Sequence, residues 1–557
     1  MQTTVALGSS PFSALTAVQI RRWLGLALLG ACLTGCASLP SQVHRPVSTA
    51  LADPLQTRMG RLVQDSAARA GTRNDSSFTL VGNAELAFTS RMTLIKEAQK
   101  TLDIQYYAIF ADDTTERLFD ALRKAAERGV RIRILLDDFN TSGKNAQVLK
   151  LAFEKNIELR LFNPLPGGRG SMVLRILSNL KDVARMQRRM HNKMMVADNA
   201  VAIAGGRNLG ETYFGQSEGT NFIDIDVLAA GRIARDLSRS FDQYWNNPLA
   251  YPVQSLMNEK EIEALKPKFV AAGQDAPSGI SQPAANAAEA LPLKPLAATA
   301  NSPDPLPEST DLRLSTWTWA PSALLVDKPS KIAADADDVA EAQETAVDGL
   351  LQLMSQATSD VLIVSPYFVP GNVMMGQFAK LRQRGVRVRV LTNSLASNDA
   401  PAAHVGYARY RQALLAMGIE LYEMHAEQAG TLRSFGLGIG STGGSKSGSR
   451  ASLHAKVVVV DGRLLVVGSM NLDLRSKLQN SEVAIVIRNA KLSQETTRMI
   501  EPALAGGAYR VELADGQLMW RAPQGSGLKD STTEPDASLT LKLLLKLFGP
   551  LAPDEML

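Results

Sequence analysis

His191-Asn192-Lys193-Met194-Met195-Val196-Ala197-Asp198 runs on through six residues to Gly205-Gly206-Arg207-Asn208, and the pattern returns in the second half of the chain. There His454-Ala455-Lys456 is followed by four valines, Asp461, six further residues and Gly468-Ser469-Met470-Asn471. Histidine, lysine, aspartate, glycine and asparagine keep the same relative positions in both copies, in a chain with five histidines. Such a pattern does not easily arise twice by chance, and the expectation it sets is that the copies are two halves of one active site.

Each copy reads as a β-hairpin. Lys456 to Val460 forms one arm, Asp461-Gly462 the turn and Leu464 to Val467 the other; Asp-Gly is a strong hairpin signal, and Asp198-Asn199 is its weaker counterpart. Side chains two apart on a strand share a face, so His191 lies beside Lys193 and His454 beside Lys456. An imidazole and an ammonium side by side suit a phosphate ester. Imidazole attacks phosphorus or moves a proton near neutral pH, and the ammonium offsets charge building on the non-bridging oxygens. The small Gly-Gly or Gly-Ser pair permits close backbone approach, and Asn208 or Asn471 can donate an amide hydrogen bond to the same oxygens. Two copies supply two histidines, one to attack and one to protonate the leaving alcohol.

The flanking sequence also repeats. Arg91 to Gln99 reads as a helix and Thr101 to Tyr107 as a buried strand. Asp113, with Glu116 three residues on, is the expected N-cap of a helix whose apolar face is Leu118, Phe119, Leu122, Ala125 and Ala126 and which Gly129 closes. Val130 to Leu136 is then a strand parallel to the first. In the second half Asp360 to Tyr367 is a strand, Val373 to Arg384 a helix, and Arg384-Gly-Val-Arg-Val-Arg-Val-Leu391 matches Arg128-Gly-Val-Arg-Ile-Arg-Ile-Leu135. These matches lie 256 positions apart and the histidines 263, as expected of a duplicated domain with loop insertions. The division that follows is 1–36 signal segment, 37–77 tether with one short helix, 78–265 first domain, 266–312 Ala/Pro-rich linker, 313–522 second domain and 523–557 tail. The glycine- and serine-rich stretch 436–449, directly before His454, reads equally as a flap or a solvated loop.

The first residues are a targeting segment. Arg21-Arg22 precede an apolar run from Trp23 to Cys32 that is far shorter than the roughly 20 residues of a spanning helix. Leu33-Thr34-Gly35-Cys36 then resembles a lipobox, with Cys36 as the lipidated residue. Cys32 and Cys36 are the only cysteines, so the processed chain has no thiol to pair and no cysteine-based zinc site. The expected location is the envelope of a Gram-negative bacterium, as a lipoprotein facing the periplasm; Ala37 after the cysteine favours the outer membrane over the inner. A net charge of +5 suits an acidic substrate or an anionic membrane surface without choosing between them.

His-x-Lys-x4-Asp-x6-Gly-(Gly/Ser)-x-Asn, present twice without departure, resembles the phospholipase D superfamily over about Phe78 to Glu512. The resemblance implies an α/β fold of two duplicated domains with mixed central sheets related by pseudo-two-fold symmetry. It implies that one histidine forms a phosphohistidine and the other serves as acid and then base, assigned here to His191 and His454. Lys193, Lys456, Asn208 and Asn471 are expected to hold phosphate. Asp198 and Asp461 belong to the catalytic motif, yet each lies beside a turn at an odd offset from its lysine, which fits an orienting or structural role. Glu482, in Asn480-Ser481-Glu482, is either a carboxylate partner for a histidine or a surface charge. No metal or cofactor is expected, since the lysines carry the charge. His44, His404 and His425 lack a lysine two residues on and read as surface or packing residues. The arginines of 185–189 either meet anionic headgroups or form a solvated face.

The superfamily holds lipases, phosphatidyltransferases and nucleases, and fold alone does not choose among them. The lipobox places the protein on a membrane. Leu539 to Leu551 is a strongly apolar stretch with two lysines, suited either to a membrane interface or to capping a core. Gly205-Gly-Arg-Asn-Leu-Gly-Glu-Thr-Tyr213 with Asp224-Ile-Asp226 is similar to bacterial cardiolipin synthases. The leading expectation is therefore phosphatidyl transfer making cardiolipin from phosphatidylglycerol, with phosphatidylglycerol or phosphatidylethanolamine as donor. Hydrolysis to phosphatidic acid is the alternative; a non-catalytic lipid-binding module and a nuclease rank lower, and no nucleic-acid partner is expected without an extended basic and aromatic patch.

Overall fold

The computed structural model describes residues 38–217, 219–257, 260–261, 317–426 and 450–548. The 1–36 segment with Cys36, the 266–312 linker and the 436–449 stretch lie outside the described residues.

The first half supplies strands β1 (Ser76–Val81), β2 (Thr101–Tyr106), β3 (Arg131–Asp137), β4 (Ile157–Phe162), β5 (Met194–Ala197), β6 (Val201–Gly205), β7 (Thr220–Ile223), β8 (Asp226–Gly231) and β9 (Ala250–Pro252). After them come β10 (Thr318–Ala320), β11 (Ser322–Val326), β12 (Asp360–Val364), β13 (Phe368–Val369), β14 (Arg387–Asn393) and β15 (Glu420–Met424). The chain ends its strands with β16 (Arg450–Leu453), β17 (Val457–Val460), β18 (Leu464–Gly468), β19 (Leu472–Asp473), β20 (Val483–Arg488), β21 (Ala508–Ala514) and β22 (Gln517–Arg521).

Two nine-stranded mixed sheets result, in the orders β10-β1-β8-β6-β5-β2-β3-β4-β9 and β11-β20-β18-β17-β12-β14-β15-β21-β22. From β1 and from β11 the next strands follow one plan: antiparallel pairs lead to the motif hairpin, then three parallel strands, then an antiparallel edge. The duplication is thus an α/β fold of two like domains. The ninth strand differs between them. β10, assigned by the sequence division to the second domain, completes the first sheet by pairing with β1. The crossover falls at Pro321, between β10 and β11, where a residue without an N–H suits a break in a ladder.

Alternation along the hairpin arms divides the cores. Met194, Val196, Val457 and Val459 enter a core shared by both halves. Met195 and Ala197 enter the first half's own core, and Val458 and Val460 the second's. Burial on both faces explains arms that are apolar throughout. The parallel β2–β3 pair is joined by the helix Asp113–Glu127, whose N-cap is Asp112 rather than Asp113, with Thr115 completing a capping box. Asp112 wins because its side chain is the one that reaches the third helical N–H.

The expected tether is partly a strap. The helix Arg58–Arg69 is present, but residues ahead of it are fastened to the first sheet. Buried Arg133 donates to the Ser48 carbonyl (2.8 Å) and Arg160 to that of Pro46 (2.6 Å), while Ala50 N–H donates to Asp242 (2.9 Å). Arg133 also pairs with Asp103 at 2.7 Å. Guanidinium donors left over from such pairs need acceptors, and the strap's carbonyls supply them.

Candidate active site

The motif hairpins form as their turn residues demand. Asp198 and Asn199 have φ near +52°, and Asp461 and Gly462 φ of +50° and +58°, the two left-handed residues of a type I′ turn. Neither motif aspartate is beside its histidine; each lies at the far end of the strand. Asp198 accepts the N–H groups of Gln99, Lys100 and Thr101 at 2.8–3.0 Å. Asp461 accepts those of Thr358, Ser359 and Asp360 at 2.8–3.1 Å. Each pins its hairpin to the start of the neighbouring strand, which is a structural task.

The two histidines are joined to the opposite halves. His191 N–H donates to the Ser481 carbonyl (2.9 Å), and His454 N–H to that of Ile223 (2.8 Å). β16, just before His454, also pairs in parallel with β7, just before Asp224. The residue after each accepting carbonyl is a carboxylate: Glu482 follows Ser481, and Asp224 follows Ile223. Register therefore brings Glu482 to 3.0 Å from His191 Nδ1 and Asp224 to 2.7 Å from His454 Nδ1. Glu482 is fully buried, so its reading as a surface charge is set aside.

Both carboxylates are positioned in turn. Glu482 accepts the hydroxyls of Ser469 (2.5 Å) and Ser476 (2.9 Å), and its own N–H donates to Asp327. Asp224 occupies space that a side chain at 206 would fill, since a Cβ there would meet its carboxylate at 2.4 Å. That contact explains glycine in the first copy where the second has Ser469. Asp224 carries no site role in the sequence reading, where Asp224-Ile225-Asp226 serves only as a point of family likeness. Once Glu482 is considered as a partner, its counterpart should lie after Asn208, but the spacings differ (16 residues against 11).

Burial governs the protonation states. It pushes the carboxyls of Glu482 and Asp224 up to about 7. It holds both imidazoles well below their ordinary range, with Lys193 and Lys456 adding to the effect on each. Glu482 joins His191 of the first motif to Ser469 of the second, which places both motifs in one site. A neutral imidazole with Nδ1–H donated to a carboxylate leaves Nε2 as the reactive nitrogen. Lys193 and Lys456 reach back to the carbonyls of His191 (2.8 Å) and His454 (2.6 Å). Burial lowers the proton affinity of both ammoniums against neighbouring carboxylates, so an arriving phosphate anion relieves an electrostatic cost already present.

Aromatic rings wall the site, and the sequence reading gave them no role. Tyr107 meets the His191 ring edge-on at 5.1 Å and lies 5.4 Å from Lys193 Nζ. Tyr213 and Phe222 flank His454 at 5.2 and 5.1 Å, and Lys456 Nζ lies 6.0 Å from Tyr367. Asn208 is buried and donates to the Tyr213 hydroxyl at 2.9 Å; Asn471 is buried with Oδ1 unpartnered. The remaining histidines lie elsewhere. His404 pairs with Glu534 and His425 with Asp536, fastening the tail to the second domain, and His44 is exposed.

A family model described as cardiolipin synthase, phospholipase D-like domain, matches residues 92–245 and again 350–503. The chain is 35% identical over 475 residues to cardiolipin synthase C of Escherichia coli, covering 85% of this chain and 94% of that one. This chain belongs to the phospholipase D-like cardiolipin synthase family. It is an enzyme of the phospholipase D superfamily, and the paired motifs are that family's signature. Cardiolipin synthase B of Escherichia coli is 21% identical over 440 residues, covering 79% of this chain and 83% of that one. Phosphatidylserine synthase of Haemophilus influenzae shares the fold, with a TM-score of 0.53 at 13% identity over 89% of this chain and all of that one.

Proposed function

We propose that the protein is a phosphatidyltransferase that makes cardiolipin through a phosphohistidine. The observation that carries the reading is the reciprocal pairing of each histidine with a carboxylate from the other half, beside two buried ammoniums. His191 Nε2 attacks the phosphorus of a phosphatidylglycerol or phosphatidylethanolamine donor. The bond to the head-group oxygen breaks, and the leaving alcohol takes a proton from the His454–Asp224 pair. That pair retains a proton near neutrality because burial raises Asp224 to about 7, and the bound anion raises the proton affinity of His454 further. The glycerol hydroxyl of a phosphatidylglycerol acceptor then returns a proton to the pair and attacks phosphorus, releasing His191 and cardiolipin. Lys193 and Lys456 offset charge on the non-bridging oxygens throughout.

Similarity to the Escherichia coli cardiolipin synthases supports the lipid substrate. So does the C-terminal helix Leu539–Phe548, which exposes Leu539, Leu543 and Leu547 along one side as an interfacial segment would. Among the described residues no helix is long and apolar enough to cross a membrane. We place the protein on the periplasmic side of the envelope, anchored through Cys36 and favouring the outer membrane; loss of fatty-acid labelling in Cys36→Ser tests the anchor. Incubating the purified protein with labelled phosphatidylglycerol, with and without phosphatidylethanolamine, tests the reaction by thin-layer chromatography. Labelled cardiolipin supports transfer, phosphatidic acid alone replaces it with hydrolysis, and unchanged lipid with a folded protein rejects both.

A further inference from the structure

The helix Met172–Ser178 is inside out. Arg175 points into the protein, only 1% exposed, and its guanidinium donates to Asp138, to the Leu165 carbonyl (3.0 Å) and to Ser142 (3.1 Å). Val173, Leu174 and Leu177, on the roughly opposite side, are 66%, 68% and 57% exposed. A helix facing only water buries the other way round. Two more apolar residues, Leu180 (56%) and Val183 (42%), extend the exposed surface along the chain. The buried Arg175–Asp138 contacts fix the orientation, so the apolar side is presented outward by a rigid anchor.

This surface leads directly to the active site. The short helix Val183–Gln187 follows, then Arg189, which is buried against Asp137 and the Asn163 carbonyl, then His191. Arg475, whose charge acts on His191, donates to the Gln187 carbonyl at 3.5 Å. Lys181 is exposed beside the apolar residues, with Arg185 and Arg188 half-buried behind it. The two arginines pair with exposed Asp182 and Asp335, each at 2.9 Å; solvent-facing pairs of this kind are weak, and lipid phosphates can replace them. Apolar residues ahead of a cationic collar complement an anionic bilayer surface.

We propose that residues 172–183 form an interfacial docking element that seats the mouth of the active site on an anionic phospholipid surface, with Val173, Leu174, Leu177, Leu180 and Val183 entering the acyl boundary. The inference rests on phospholipid being the substrate, and it adds where and how the bilayer is met.

The test labels one position with an environment-sensitive fluorophore. In a full-length chain carrying Cys32→Ser and Cys36→Ser, Leu177→Cys is compared with Glu127→Cys, an exposed position on another helix. Vesicles of mixed phosphatidylglycerol and phosphatidylcholine should blue-shift the label at 177 and leave that at 127 unchanged. No shift at 177 on vesicle-bound protein overturns the proposal. So does the same shift produced without lipid by raising protein concentration, which would assign the face to a second copy. A Val173→Ser/Leu174→Ser/Leu177→Ser chain should turn over vesicle-embedded phosphatidylglycerol at least about tenfold more slowly, with monomeric short-chain phosphatidylglycerol unaffected. Equal loss on both substrates contradicts docking. The label needs no turnover, so a shift in a protein that transforms no lipid rejects the proposed reaction and leaves the docking surface standing.

Discussion

Glu482 and His191, 291 positions apart, meet at 3.0 Å because Ser481, the residue before Glu482, accepts the His191 backbone N–H. Asp224 and His454 meet by the same device from the opposite direction. Neither half pairs its own motif histidine with one of its own carboxylates. Glu482→Ala and Asp224→Ala should each lower kcat by about 10²–10³-fold with a smaller change in KM, because losing the acceptor frees the ring's tautomer and orientation. Steady-state kinetics on folded protein checks this; a change confined to KM would assign the carboxylates to binding.

Gly206 provides a second route to the same defect. Gly206→Ala pushes a methyl into the space of the Asp224 carboxylate, so it should reduce kcat towards the level of Asp224→Ala. Combining the two should cost little more than Asp224→Ala alone, since both act through one pair. Additive losses would show that Gly206 acts elsewhere.

Asp198 belongs to the motif but not to the chemistry. Asp198→Ala removes an acceptor for three backbone N–H groups in a buried setting. It should destabilise the protein by about 2–4 kcal/mol while leaving kcat of the folded fraction within about threefold. Denaturant unfolding alongside active-site-normalised kinetics separates the two effects.

Buried Glu482 makes stability depend on pH. Its carboxyl is raised from an ordinary 4.5 to about 7 in the folded state, so the folded protein holds this proton more tightly than the unfolded chain. That contribution is full below about pH 4.5 and is lost as pH rises through about 7. Glu482→Gln cannot lose it. The stability difference between Glu482→Gln and the parent should therefore move in the variant's favour by about 3 kcal/mol between pH 4.5 and 8. Urea unfolding across that range measures it, and a flat difference would contradict a raised carboxyl.

The duplicated hairpins were legible because their apolar arms, left-handed turns and repeated polar residues are all local signals. Asp461 and Asp198 could be set apart from the chemistry by their position beside the turns. Asp224 could not be found this way: its role depends on pairing between β7 and β16, which no local pattern records, and its distance from Asn208 differs from that of Glu482 from Asn471. The strap on Arg133 and Arg160 was hidden for a related reason, because arginines alternating with apolar residues on a strand read as a solvent face. β10 is three residues long beyond a linker, too short to reveal which sheet it joins. The exposed side of Met172–Ser178 was also unreadable, since an amphipathic helix normally faces its leucines inward.

The proposed reaction runs through a covalent intermediate on one of the two motif histidines. Phosphatidylglycerol radiolabelled at phosphorus, mixed with the parent protein and quenched in alkali during turnover, should leave label on the peptide containing His191. His191→Ala should remain unlabelled. Label on the His454 peptide would reverse the roles, and turnover by the parent with no trapped label would contradict the phosphohistidine.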